Sequence, residues 1–169
     1  ATSIKKIFNL YDMELIDIFE QPTHGGSMRY IVSRKGERQI TENVNIIIEK
    51  EKNSNLDNIS SCIKFKSDCE KSREKLRMSL DEFKKNNKKI AGYAATSKST
   101  TILNYCKIGK KYISYFVDTT LDKQNKYTPG TKIPIFKYEG LDFRKIDYIF
   151  LGAWNFKDEI FKKERKFIT

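Results

Sequence analysis

Lys89-Ile90-Ala91-Gly92-Tyr93-Ala94, followed by residues 97–106 and then by Tyr112-Ile113-Ser114-Tyr115-Phe116-Val117-Asp118, is the stretch that decides the fold. It reads as a strand, a helix and a second strand. Strands alternating with helices at this spacing imply right-handed crossovers and a mostly parallel sheet. Downstream the rhythm continues. Residues 132–136 form a short strand containing Pro134, which cannot donate to a ladder and so belongs at a sheet edge or a strand start. Asp147-Tyr148-Ile149-Phe150-Leu151-Gly152 is the next strand and 157–166 the last helix. The second half of the chain is therefore predicted to be a small Rossmann-like α/β unit.

Upstream, Cys62, Phe65, Cys69, Leu76, Leu80 and Phe83 recur at three, four and seven residues, which predicts a long amphipathic helix over 60–86. Ser60 or Ser61 would cap it. Cys62 and Cys69 would lie on one face as small buried apolar residues. Residues 49–58, Glu-Lys-Glu-Lys-Asn-Ser-Asn-Leu-Asp-Asn, read as a linker. Further back, Met13-Glu-Leu-Ile-Asp-Ile-Phe-Glu20 alternates imperfectly and Met28-Arg-Tyr-Ile-Val-Ser-Arg34 comes after a Gly25-Gly26 loop. Two such runs around glycines predict an antiparallel hairpin. The chain thus divides into a hairpin (1–38), a linker (39–59) and a Rossmann-like domain with a long leading helix (60–169).

Composition narrows the function. The chain has 169 residues, with 33 Lys plus Arg against 22 Asp plus Glu, a net charge of +11. That is one domain's worth of chain, and 11 Phe with 9 Tyr can fill a core without disulfides or metal. A basic balance invites a nucleic-acid reading. However, Lys outnumbers Arg 26 to 7 and is spread along the chain, and Arg is the better reader of phosphate and guanine edges. A solvated basic surface accounts for the charge, so no nucleic-acid partner is expected. No apolar run approaches the roughly 20 residues of a membrane span, so none is expected in a membrane. Cys62, Cys69 and Cys106 form no Cys-x-x-Cys pair and His24 is far from them, which argues against zinc and for a reducing, cytoplasmic compartment. The start, Ala1-Thr2-Ser3-Ile4-Lys5-Lys6, has no initiator Met and no signal-peptide h-region, and reads as a cut in a longer protein.

In a parallel sheet, ligands sit beyond the carboxyl ends of the strands. Those ends carry Tyr93 to Thr101, then Asp118, then Ala153-Trp154-Asn155. With only Gly92 in place of a Gly-x-Gly-x-x-Gly turn, NAD binding is disfavoured. A helix N-terminus with Ser97, four hydroxyls and Lys98 could still hold an anion, and Asp118 could accept from hydroxyls. Equally, Ser97 could be a helix cap, Asp118 a solvated strand end and Lys98 a surface charge.

Several blocks recur together: Pro22-Thr-His-Gly-Gly-Ser-Met-Arg29, Ile90-Ala-Gly-Tyr-Ala-Ala-Thr-Ser-Lys98 with Leu103-Asn-Tyr105, Val117-Asp118, Asp122-Lys-Gln124, Tyr127-Thr-Pro-Gly-Thr-Lys-Ile-Pro-Ile135 and Ala153-Trp-Asn-Phe-Lys-Asp-Glu-Ile160. From residue 20 to 168 this series resembles the C-terminal domain of S-adenosylmethionine-dependent sugar C-methyltransferases. Ala94, Ser99 and Asn125 depart from it, standing where that family commonly has glycine. The resemblance implies a longer enzyme with a zinc-binding N-terminal domain, a core that binds S-adenosylmethionine, and this domain on the substrate side. Its substrate would be a nucleotide-linked keto-deoxysugar. A base removes the proton α to the carbonyl, and the resulting enolate attacks the methyl group in line.

The family's base is a His in a Tyr-x-Glu-His stretch that this chain lacks, as it lacks the cysteine-rich zinc site and the glycine-rich donor loop. Residues 4–35 would be the tail of the methyltransferase core and 1–38 its terminal hairpin. The resemblance implies that this chain alone holds no cofactor and is not a competent enzyme. Its expected partners are the upstream core and the nucleotide-sugar. Expected substrate-side residues are His24, Gly25, Gly26, Ser27 and Arg29, with Tyr93, Ser97, Lys98, Asp118, Trp154 and Asn155. His24 could be a base, a positioning group or a structural pin of its turn. Arg29 could pair with core carboxylates or grip phosphates. A different class of function fits the same residues: a non-catalytic Rossmann-like module that binds an anionic small molecule or a partner protein.

Overall fold

The computed structural model describes residues 1–55 and 58–166, and the chain divides into two compact units, Ala1–Asp68 and Cys69–Thr169. In the first unit, α1 (Thr2–Asn9) precedes β1 (Met13–Gln21), and β1 pairs antiparallel with β2 (Ser27–Arg34) as the alternation predicts. The imperfection in that alternation has a structural cause. Leu15 faces Val32 and Asp17 faces Ile31, so Ile16 is an extra residue, a β-bulge. After the bulge the parity of the strand changes, which puts both Leu15 and Ile18 into the core with Val44 and Ile47.

Val44 and Ile47 lie on α2 (Glu42–Asn53), inside the stretch 39–59 that reads as a linker in the sequence. The structure corrects that reading. Residues 49–53 of its polar window are the solvated end of a helix whose buried positions lie just upstream. Glu42 in the first turn and Lys50 and Lys52 in the last complement the helix dipole. Asp17 anchors the entry to α2 by accepting from Thr41 Oγ1 at 2.7 Å and Asn43 Nδ2 at 3.0 Å. These bonds, the Thr41 hydroxyl first, draw its carboxyl below the ordinary aspartate range. Residues 2–9, for which the sequence signals no element, form α1.

The long helix α3 (Ile59–Lys85) matches the predicted one within a residue, but Asn58 rather than Ser60 or Ser61 caps it, its Oδ1 accepting from Ser60 N at 2.9 Å. Only the second half of its stripe is packed. Leu80 is 4% exposed, with Leu76 and Phe83 partly buried around it, whereas Phe65 is 70% exposed. Cys62 is exposed and Cys69 half-buried, so the expectation of two buried thiols fails; the buried one is Cys106. Periodicity marks a face but not the length over which the face is covered. Leu80→Ala is expected to lower unfolding free energy by about 2–3 kcal/mol through lost contacts and a residual cavity, read from urea unfolding. A change below about 0.5 kcal/mol would place Leu80 outside the core.

In the second unit, β3 (Ile90–Tyr93), α4 (Ser97–Tyr105), β4 (Phe116–Asp118), β5 (Lys126–Tyr127), β6 (Pro134–Lys137), β7 (Tyr148–Leu151) and α5 (Lys157–Lys163) succeed one another in that order. The sheet order is β5-β6-β4-β3-β7, parallel throughout except for the β5–β6 pair. This is the expected α/β class: a mostly parallel sheet, with an antiparallel hairpin and a long helix ahead of it. Pro134 opens β6, one of the two places open to it. The predicted strand over 112–118 is shorter than expected, since only its last three residues pair. Tyr112 and Ile113 are buried in the preceding turn and join the core of Leu103, Ile108, Phe116, Ile133 and Ile135. Gly92 is required by packing, because a Cβ there would lie 2.4 Å from the buried Phe116 ring. The sheet builds outward from β3 through β4 and β6, and the chain then returns to add β7 on the other side. The change of direction falls at β3.

Candidate functional site

At that switch point two turns meet, one after β3 and one after β7. The first holds Ala94 in the left-handed region at φ 65°, where an alanine costs about 1–2 kcal/mol that glycine avoids. Asn125 also has positive φ, at 59°. Two of the three departures from the family's glycines thus occupy conformations suited to glycine. Thr96 is the N-cap of α4, not Ser97. Its Oγ1 accepts from Ser99 N at 3.1 Å while Ser99 Oγ accepts from Thr96 N at 3.0 Å, a reciprocal capping box. Thr96 Oγ1 also donates to Gly152 O at 2.7 Å. The turns are so close that a Cβ on Gly152 would meet Ala94 O at 2.0 Å.

Lys98, Trp154 and Asn155 come together as the sequence suggests, but they engage one another. Lys98 Nζ donates to Asn155 Oδ1 at 2.7 Å and lies 5.5 Å from the centroid of the Trp154 ring. Ser97 is exposed beside them. Asp118 is not a solvated strand end. It is 7% exposed; its Oδ2 accepts from Ala95 N at 2.8 Å and its Oδ1 from Thr120 N at 2.8 Å, and Lys123 Nζ lies 3.2 Å away. Burial pushes this carboxyl up, but the Thr120 bonds and Lys123 pull harder and hold it below the ordinary range. Ala94 N donates to Val117 O at 2.8 Å, so three consecutive amides of the turn, at residues 94, 95 and 96, already have acceptors. Such a turn offers no bare backbone cradle for a dinucleotide or for a methyl donor of similar bulk.

Tyr93, at the end of β3, donates through its hydroxyl to Glu164 Oε1 at 2.8 Å, and Tyr138 Oη lies 2.8 Å from both oxygens of the same carboxylate. Glu164 is 2% exposed. Burial first, and then this carboxylate, raise both phenols, Tyr138 to about 12. Lys163 Nζ stands 3.9 Å from the centroid of the Tyr138 ring. None of Tyr138, Lys163 and Glu164 is marked by the sequence, since Lys-Lys-Glu-Arg-Lys at 162–166 reads as a solvated helix end. Two cavities open on either side of the 93–97 turn. One of about 270 Å³ is lined by Ala153, Tyr138, Phe156, Glu159 and Lys163, and one of about 260 Å³ by Ser97, Thr100, Lys123, Lys126 and Tyr127.

The other expected residues belong to the first unit. His24 lies in a tight turn, Thr23–Gly25, with left-handed φ 56° and ψ 21°. Gly25 and Gly26 come next at φ 86° and 119°, and Gly26 N donates to Thr23 O at 3.0 Å. Ser27 Oγ donates to the same carbonyl at 3.2 Å, and Arg29 is exposed on β2 opposite Phe19. The turn is exposed.

A family model described as the C-methyltransferase C-terminal domain matches residues 22–169. The chain belongs to this family. C-methyltransferase NovU of Streptomyces niveus is similar to it, 27% identical over 167 residues. The similarity covers 98% of the chain and 40% of NovU, so the chain spans about two-fifths of that relative's length. Among the described residues of this C-methyltransferase C-terminal domain, no three His, Cys, Asp or Glu side chains gather as a metal site. No helix among them is long and apolar enough to cross a membrane.

Proposed function

We propose that the chain is the substrate-side domain of an S-adenosylmethionine-dependent C-methyltransferase acting on a nucleotide-linked keto-deoxysugar. The family match carries this reading, and the two cavities beyond the carboxyl ends of the sheet support it. In it, Ser97, Lys123 and Lys126 border the more basic cavity and face the phosphates. Lys98, fixed by Asn155 and Trp154, braces the turn between the cavities, and Asp118 holds that turn from beneath. His24, Gly25, Gly26, Ser27 and Arg29 supply the substrate contacts of the first unit. The methyl donor and zinc belong to the remainder of the longer enzyme, and the free thiols fit a reducing cytoplasm.

A thermal-shift and calorimetric panel of nucleoside diphosphates, nucleotide-sugars, S-adenosylmethionine and oligonucleotides tests the reading. Nucleotide-sugar binding is expected with oligonucleotides inert. For S-adenosylmethionine the chain alone is expected to show no dissociation constant below about 100 μM, near −5.5 kcal/mol. Stoichiometric binding tighter than that would overturn the placement of the donor site outside this chain. Nucleotide-sugars that fail to bind while another anion does would favour the non-catalytic module.

A further inference from the structure

Glu164 is a buried carboxylate to which the proposed function assigns no role. Removing a carboxylate from water costs several kcal/mol. Apolar side chains of similar shape would hold α5 to the strand ends without that cost. What the carboxylate adds is direction, because two phenols, Tyr93 at the end of β3 and Tyr138 in the turn just past β6, converge on it and their rings are fixed edge to face, 5.9 Å apart at 74°. Tyr138 then carries the Lys163 ammonium over its ring, and both line the 270 Å³ cavity with Phe156 and Glu159.

The lining of this cavity is unlike that of its neighbour. Glu159 and Lys163 are one turn apart on α5 and therefore neighbours on its surface. They place a carboxylate acceptor and an ammonium donor beside two aromatic rings. A diphosphate is disfavoured here, since the lining cation Lys163 is already offset by Glu159 beside it in the lining and by Glu164, 3.6 Å from its ammonium. A sugar ring suits it, with C–H faces for the aromatic walls and hydroxyls that both donate and accept.

We propose that Tyr138, Phe156, Glu159 and Lys163 form a subsite for a hydroxylated sugar ring, with Glu164 as the residue that positions Tyr138 and Lys163 in it. The proposal rests on the nucleotide-sugar reading of the domain. Its ligand chemistry has two sources, the ribose of the nucleotide and the sugar that receives the methyl group.

The test uses the intact methyltransferase carrying this chain, titrated with UDP and dTDP and with UDP-glucose and dTDP-glucose. Glu159→Gln is expected to weaken the probe that wild type binds by about tenfold without lowering the melting temperature, and Lys163→Met to weaken it as much with a lowered melting temperature, because its ammonium lies 3.6 Å from the buried Glu164. Weakening confined to the nucleotide-sugar assigns the ring to the transferred sugar, and equal weakening of the diphosphate assigns it to ribose. Tyr138→Phe removes one hydroxyl and leaves Tyr93 on Glu164. It is expected to raise KM for the sugar substrate about threefold with kcat unchanged, a split that a purely structural role would not give. Wild-type affinity in both Glu159→Gln and Lys163→Met would overturn the subsite and leave the nucleotide-sugar reading standing. A lowered melting temperature with unchanged KM in Tyr138→Phe would overturn the positioning role. Failure of wild type to bind any of the four probes would overturn both readings.

Discussion

Asp118→Ala is expected to lower the unfolding free energy by about 3–5 kcal/mol, the range for breaking a buried, hydrogen-bonded charge pair. The substitution strands the Ala95 and Thr120 amides, each costing about 1–3 kcal/mol if it stays dry. Lys123, being more exposed, adds less. Asp118→Asn should fall between, because one of its two side-chain atoms now donates toward an amide that also donates. The pH dependence has a definite sign. A carboxyl held below its unfolded value of about 3.9 contributes stability that is fully present above that pH and is lost as pH falls through the folded value. Urea unfolding of wild type and Asp118→Asn should therefore differ most near neutrality and converge below about pH 4. A constant difference down to about pH 2.5, or a loss under about 1 kcal/mol at neutral pH, would show that the carboxylate does not pin the turn.

The second large effect concerns turnover. Replacing His24 in the intact methyltransferase is expected to reduce methyl transfer tenfold to a thousandfold, about 1.4–4 kcal/mol of transition-state stabilisation, through substrate positioning. The backbone dictates which replacement tests this. At φ 56° an alanine adds strain of about 1–2 kcal/mol, whereas asparagine tolerates that conformation. His24→Asn removes the imidazole with little disturbance of the turn. Its melting temperature should stay near wild type while activity per folded molecule falls. Full activity in His24→Asn, with destabilisation seen only in His24→Ala, would make the imidazole a tenant of the turn with no part in transfer.

Features that repeat along the chain are legible in the sequence. The order of strands and helices after Lys88 is given by short apolar runs and turn residues. The long helix is given by its stripe and the hairpin by its two glycines. Features that depend on meeting a distant residue are not legible. Asp118 looks like an available acid until the amides of residues 95 and 120 are seen to occupy it. Lys98 looks like an anion contact until Asn155 and Trp154 are beside it. Glu164 sits in a run of charges and gives no sign of burial, which arises where this residue, just past α5, meets Tyr93 at the end of β3 and Tyr138 just past β6. Helix α2 is hidden because its polar last turn resembles a linker more than its two buried apolar residues, Val44 and Ile47, mark a helix.

The extra residue in β1 bears on the comparison of chains of different length. Removing Ile16 would leave Leu15, Ile18 and their partners Val32 and Tyr30 on the same face, because the two segments of the strand are already in phase around it. Loss of that one residue is silent to the register of the hairpin, although Ile16 itself is buried. It is not silent to α2: the Ile16 carbonyl accepts from Thr41 N at 2.9 Å, and the neighbouring Asp17 holds Thr41 and Asn43. Relatives whose strand lacks this residue should keep the two-stranded ribbon and have to tether the next helix by other means, so a gap in an alignment belongs at position 16 and should travel with changes at 41 and 43.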